Sequence, residues 1–110
     1  MEKSKIATYL GFCIRARKII FGAEMIEKKN KGVYLLVMDG GIGKNSLKPM
    51  LRAKEKLGCP LYITDEGALA EWVCRPAVKA VAILDENLAS AMIKSADGEP
   101  KFKLYSGGNN

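Results

Sequence analysis

The sequence predicts an α/β domain, a three-layer α-β-α sandwich around a central sheet of about four mixed strands. Short apolar runs of strand character at 33–39, 59–64 and 79–84 alternate with segments whose apolar residues recur at helical spacing. The run from Val33 to Asp39 is almost wholly apolar, as suits a central strand covered on both faces. A chain of 110 residues supports one core and not two domains.

The elements follow in order. Ile6, Tyr9, Leu10, Cys13 and Ile14 recur at helical spacing over 4–18, with Ser4 as N-cap and Arg15, Arg17 and Lys18 complementing the dipole at the far end. Ile19 to Gly22 is too short for more than a brief strand or turn. A second helix is predicted over 23–31, acidic residues first and basic ones last, with Gly32 as its C′ residue. After the 33–39 strand, Ser46 is the predicted N-cap of a helix over 47–57, which would leave Pro49 in the first turn, where its missing N–H costs little. Gly58 ends that helix. A strand over 59–64, a helix over 67–74 stopped by Arg75-Pro76, a strand over 79–84 and a helix capped by Asp85 complete the alternation. Leu88, Ala91, Met92 and Ile93 form the last helix's apolar face. These elements define a single domain over 1–95. The segment 96–110 is poor in apolar residues and is expected to be a flexible tail.

Charge is unevenly placed. The net charge is +6, yet residues 1–56 balance to +8 and residues 57–110 to −2. A basic half on a small domain fits a nucleic-acid partner, or a set of lysines that only solubilise surface helices. With no histidine, the commonest general base is missing, as is the usual zinc partner for Cys13, Cys59 and Cys74, which form no C-x-x-C pair. All three read as buried free thiols in a reducing compartment. No run is long and apolar enough to span a membrane, and the first residues carry no signal-peptide core, so a cytoplasmic location is expected.

The strand to Asp39 runs into Gly40-Gly-Ile-Gly-Lys-Asn-Ser46, followed by a basic helix. Backbone N–H groups and a helix dipole at such a loop suit a phosphate. As a P-loop, G-x-x-x-x-G-K-[ST], the stretch has Gly43 and Lys44 in place. However, Met38 stands where the first glycine belongs and Asn45 where the magnesium-binding hydroxyl belongs. A nucleotide hydrolase is therefore not expected, and a loop that only turns the chain tightly remains open.

Several residue runs add a resemblance. Leu10-Gly11 precedes Arg15-Ala16-Arg17-Lys18, and Gly22 opens a helix carrying Lys28. The 34–38 strand precedes the glycine loop, Asn45-Ser46 leads a helix ending before Cys59-Pro60, and Leu69-Ala70 precedes the strand Ala80-Val81-Ala82-Ile83. In this order and spacing, across about residues 5–94, the chain resembles the kink-turn RNA-binding ribosomal-protein superfamily. Its best-known members are the large-subunit proteins called seven-Ae and thirty-e, and this chain is most similar to small bacterial members encoded beside translation genes. The resemblance implies an α-β-α sandwich whose RNA face joins the start of the helix after Gly22, the loop after the central strand and the loop before the last strand. In typical members the first of these reads G-x-N-E-x-x-K. Here Gly22 and Lys28 match, while Glu24 and Met25 replace the Asn and Glu that contact paired guanines. Glu24 can only accept hydrogen bonds and repels phosphate, and as a first-turn acid it also suits the helix dipole. Trp72 reads as a packed helix residue rather than a stacking platform.

The expected function is non-catalytic binding of structured RNA, ribosomal or kink-turn-containing, by a monomer that needs no cofactor and no metal. The expected contacts are Arg17, Lys18, Gly22, Glu24, Met25, Lys28, Gly41, Lys44, Asn45, Lys48, Arg75 and Lys79, with backbone N–H groups between Gly40 and Asn45 assisting. Two other classes stay open: a small nucleotide- or phosphate-binding protein using the 40–46 loop, and a protein-interaction module on the same fold.

Overall fold

The computed structural model describes residues 4–105. Five helices and five strands alternate along it: α1 (Lys5–Ala16), β1 (Ile19–Phe21), α2 (Ala23–Glu27), β2 (Leu35–Asp39), α3 (Lys44–Leu57), β3 (Leu61–Thr64), α4 (Ala68–Val73), β4 (Ala80–Ile83), α5 (Glu86–Ser95) and β5 (Phe102–Leu104), with a 3-10 turn at Ala96–Gly98 before the last strand. The strands form one mixed sheet in the order β1-β4-β2-β3-β5, in which only β2 and β3 run parallel. Every residue of β2 is buried, as its unbroken apolar run requires of the middle strand.

Alternation along the strands divides the core in two. Leu35 and Val37 of β2 and Val81 and Ile83 of β4 pack with Ile6, Leu10 and Cys13 of α1, Leu69 and Val73 of α4, and Ala89 and Met92 of α5. Leu36, Met38, Ala80 and Ala82 point the other way, to Ala23 and Ile26 of α2 and Met50 and Ala53 of α3. The result is the predicted α-β-α sandwich, with one strand more than expected.

The extra strand corrects the domain boundary. Residues 96–104 are not a tail: β5 pairs antiparallel with β3 along Tyr62–Leu104, Ile63–Lys103 and Thr64–Phe102. Phe102 is buried, its ring stacked on Tyr62 at 4.6 Å and set edge-on to Trp72 at 6.4 Å. Phe102 and Leu104 alternate with Lys101 and Lys103, a strand pattern that average composition conceals. Residues 106–110 lie outside the described residues. Trp72 packs against the core, as expected.

Local starts and stops follow capping chemistry, with three departures. Ser4 caps α1 by accepting from the amides of Ile6 and Ala7, and Asp85 caps α5 by accepting from Leu88 at 2.9 Å. The first departure is α2, which ends at Glu27 rather than at 31. Lys28, Lys29, Asn30 and Lys31 offer nothing apolar to bury and crowd like charges, so no third turn forms. Second, α3 starts at Lys44 with Gly43 as N-cap, so Ser46 is inside the helix and Pro49 lies beyond its first turn. Pro49 leaves the Asn45 carbonyl without its i+4 donor, which burying Pro49 and Met50 against the sheet offsets. Third, Cys74 is exposed, because it caps α4 in a left-handed conformation that turns its thiol outward, whereas Cys13 and Cys59 are buried. Burial, reinforced by the nearby negative charge of Asp85, raises the Cys13 thiol to about 11.

Candidate functional site

Strand polarity brings three loops to one end of the sheet. β1 and β2 each run antiparallel to β4, so the C-terminal ends of β1 and β2 meet the N-terminal end of β4. Gly22 donates its N–H to the Ala80 carbonyl at 2.9 Å, and Asp39 donates its backbone N–H to the Lys79 carbonyl at 2.8 Å. Asp39 is also level with Thr64 on β3. Lys79, Asp39 and Thr64 thus share one row, and Gly22 lies one residue from it, level with Ala80, Met38 and Ile63, with neighbouring strands about 4.8 Å apart.

The residues there are held by specific contacts. Gly22 N-caps α2 at φ +95°, a conformation that side chains rarely adopt, and so lets the chain turn directly from β1 into α2. Glu24, Met25 and Lys28 all face solvent, Met25 with 55% of its surface exposed. The Arg75 guanidinium lies over the Phe21 ring at 4.4 Å, which draws the 74–79 loop onto the end of β1. Lys44, Asn45 and Lys48 are exposed on the first turns of α3, whose N-terminus no side chain caps.

Asp39 organises this end of the molecule. Its side chain is buried, yet the carboxylate accepts from the Gly41 amide at 2.7 Å, the Gly67 amide at 3.0 Å and the Leu69 amide at 3.3 Å. The Lys79 ammonium is 3.9 Å away. One carboxylate therefore ties the glycine loop to the start of α4. Gly40 lies so close to the β3–α4 connection that a Cβ there would come within 2.6 Å of the Thr64 carbonyl. This geometry corrects the expectation of a free backbone cradle across Gly40–Asn45. The Gly41 amide is taken by Asp39, and the Ile42 amide donates to the Asp39 carbonyl at 3.1 Å. A carboxylate acting as the local anion opposes a nucleotide phosphate at Gly41.

Of the predicted contacts, Gly22, Glu24, Met25, Gly41, Lys44, Asn45, Lys48, Arg75 and Lys79 gather at this end. Lys28 lies six residues beyond Gly22, about 9 Å down α2 at helical rise. Arg17 and Lys18 do not join the group. They precede β1 and lie at the opposite end of the sheet, because β1 must cross it before reaching Gly22. Sequence reasoning missed Asp39, Phe21 and the acidic border of Asp65 and Glu66. An Asp followed by two glycines at a strand end was a readable signal of a side chain folding back on its own loop. It also missed the tie between α2 and α3, where Glu27 pairs with Arg52 and its carbonyl accepts from Lys56. The hydrogen bond from Arg52 holds the Glu27 carboxyl below its usual range.

No protein-family model matches the chain, and no curated protein does. The fold has a solved counterpart. A protein with unknown function from Bacillus halodurans C superposes with a TM-score of 0.76 at 19% identity, over 86% of this chain and 99% of that one. At that identity the likeness concerns the fold alone. Among the described residues no helix is long and apolar enough to cross a membrane, and no three His, Cys, Asp or Glu side chains cluster as a metal site.

Proposed function

We propose that this protein binds structured RNA without catalysing a reaction, through the three loops at the Gly22 end of the sheet. The observation that carries the reading is the convergence there of Lys44, Lys48, Arg75 and Lys79 from two separate loops beside the exposed start of α2. Among the described residues, Lys44 and Lys48 have no ion-pair partner, so their charge is available to phosphates. The resemblance to the kink-turn superfamily supports the same three loops. Backbone contacts would dominate, because Glu24 and Met25 are poorly suited to reading a guanine edge. A cytoplasmic monomer associated with the ribosome or translation is the setting this reading implies.

The test is fluorescence anisotropy with a labelled kink-turn hairpin and ribosomal RNA fragments at several salt concentrations. Replacing Lys44 and Lys48 together by Ala should weaken binding and flatten the logarithmic salt slope by roughly two. Unchanged affinity at low salt would sink the site. Calorimetric titration with ATP or GTP and magnesium, giving micromolar affinity and no RNA binding, would replace the reading with nucleotide binding.

A further inference from the structure

The opposite end of the sheet carries a second basic surface with an exposed aromatic ring. Ile19, Ile83 and Leu35 share one row across β1, β4 and β2. One residue further out, Leu84 donates its N–H to the Lys18 carbonyl at 2.8 Å, and Tyr34 donates its N–H to the Ile83 carbonyl at 2.9 Å. Lys18 and Tyr34 therefore flank Leu84, about 10 Å apart at ordinary strand spacing. Leu84 packs with the α2/α3 layer, and cross-strand neighbours share a face, so Lys18 and Tyr34 open on that side. The connection from α2 to β2 emerges on the same side, between Ile26 and Val33 of that layer, and carries Lys29 and Lys31.

Positive charge is in excess here. Among the described residues Arg17, Lys18, Lys29 and Lys31 have no ion pair and no side-chain hydrogen bond. Of the carboxylates near this end, Glu27 pairs with Arg52, Asp85 caps α5 and Glu86 begins that helix, while Glu55 stands exposed near the end of α3 between Lys54 and Lys56 in sequence. Arg17 is held in a left-handed conformation at φ +59°, where a helix C-cap ordinarily takes glycine, and its side chain projects into solvent. Tyr34 is 40% exposed, next to a strand that is otherwise buried. A ring standing among free cations suits an unpaired base stacked on it with flanking phosphates beside it, whereas the bases of a duplex are hidden from such a ring.

We infer that this surface is a second RNA contact, with an unpaired nucleotide stacked on Tyr34 and its neighbouring phosphates on Arg17, Lys18, Lys29 and Lys31. Together with the site proposed at the Gly22 end, it would let one copy of the protein hold two RNA segments. The inference stands on its own residues and does not require the Gly22-end site.

The experiment uses the whole chain and a labelled single-stranded oligonucleotide of about ten nucleotides, read by anisotropy across salt. Tyr34→Ala should weaken binding about tenfold, and Tyr34→Phe, which keeps the ring, should bind within about twofold of the wild type. Replacing Lys29 and Lys31 by Ala should flatten the logarithmic salt slope by about 1.4. Tyr34→Ala should weaken binding by the same factor in a Lys44→Ala, Lys48→Ala background, which separates the surface from the one at the Gly22 end. Ultraviolet crosslinking should attach the oligonucleotide at Tyr34. Equal affinity of Tyr34→Ala and wild type, or a salt slope unmoved by the lysine pair, would overturn the inference. Competition by polyaspartate as effective as by RNA would overturn it in favour of an acidic protein partner.

Discussion

Replacing Asp39 by Ala should remove the tie between the glycine loop and α4. Three amides lose their acceptor: Gly41, Gly67 and Leu69, at 2.7, 3.0 and 3.3 Å. Gly67 is exposed and can turn to water, Gly41 is half-buried, and Leu69 is fully buried. Hydrogen bonds to a charged acceptor contribute about 1.5–3 kcal/mol each, and an orphaned buried amide costs about 1–3 kcal/mol. Counting Leu69 fully, Gly41 in part and Gly67 scarcely at all, the loss is about 3–5 kcal/mol. Asp39→Asn should cost less, about 1–3 kcal/mol, because either orientation of the amide keeps one oxygen and turns its NH2 toward Gly41 or Leu69. Urea unfolding followed by circular dichroism measures both, with Asp65→Ala on the exposed neighbouring loop as a control expected within about 0.5 kcal/mol of the wild type. If Asp39→Ala unfolds within about 1 kcal/mol of the wild type, or Asn is worse than Ala, the carboxylate does not organise this end and the argument fails.

Other outcomes follow from the same geometry. Gly40→Ala should destabilise by about 1–3 kcal/mol, since its Cβ would meet the Thr64 carbonyl at 2.6 Å. Gly43→Ala, with open space around it and φ −81°, should cost only the poorer capping of Ala, about 0.5–1 kcal/mol, and thermal melts compare the two. Phe102→Ala should cost about 3–5 kcal/mol, and cutting the chain after Ser95 should be at least as damaging; a truncated protein as stable as the full chain would mean that β5 contributes nothing. The Cys13 thiol, raised from 9.0 to about 11, favours the folded state while it remains protonated. Its contribution is complete below pH 9 and is lost as pH rises through 11, so denaturation curves should show stability falling across that window, less so in Cys13→Ala. A thiol reagent at neutral pH should modify Cys74 in the native protein well before Cys13 or Cys59.

The layered fold was legible because its signals are local. An unbroken apolar run marked β2 as the middle strand, Ser4 and Asp85 marked two helix starts, and periodicity marked the packed faces. Of the candidate site, the three loops were legible as glycine-bearing or basic segments, but their company was not. Arg17 and Lys18 are expected from their charge and their place in the family-like pattern to share the RNA face with Gly22, and β1, which crosses the sheet between them, separates them.

The sequence by itself determined the α/β class, the central strand and the excess of cations over residues 1–56, because these depend on composition and on side-chain chemistry repeating at short period. Only the tertiary structure decided which cations share a surface, that Phe102 joins the core, and that Asp39 occupies the amides of its own glycine loop. Those outcomes depend on strand direction and register, which bring together residues that lie 28 and 30 positions apart, as Gly67 and Leu69 do from Asp39. No local periodicity encodes that meeting.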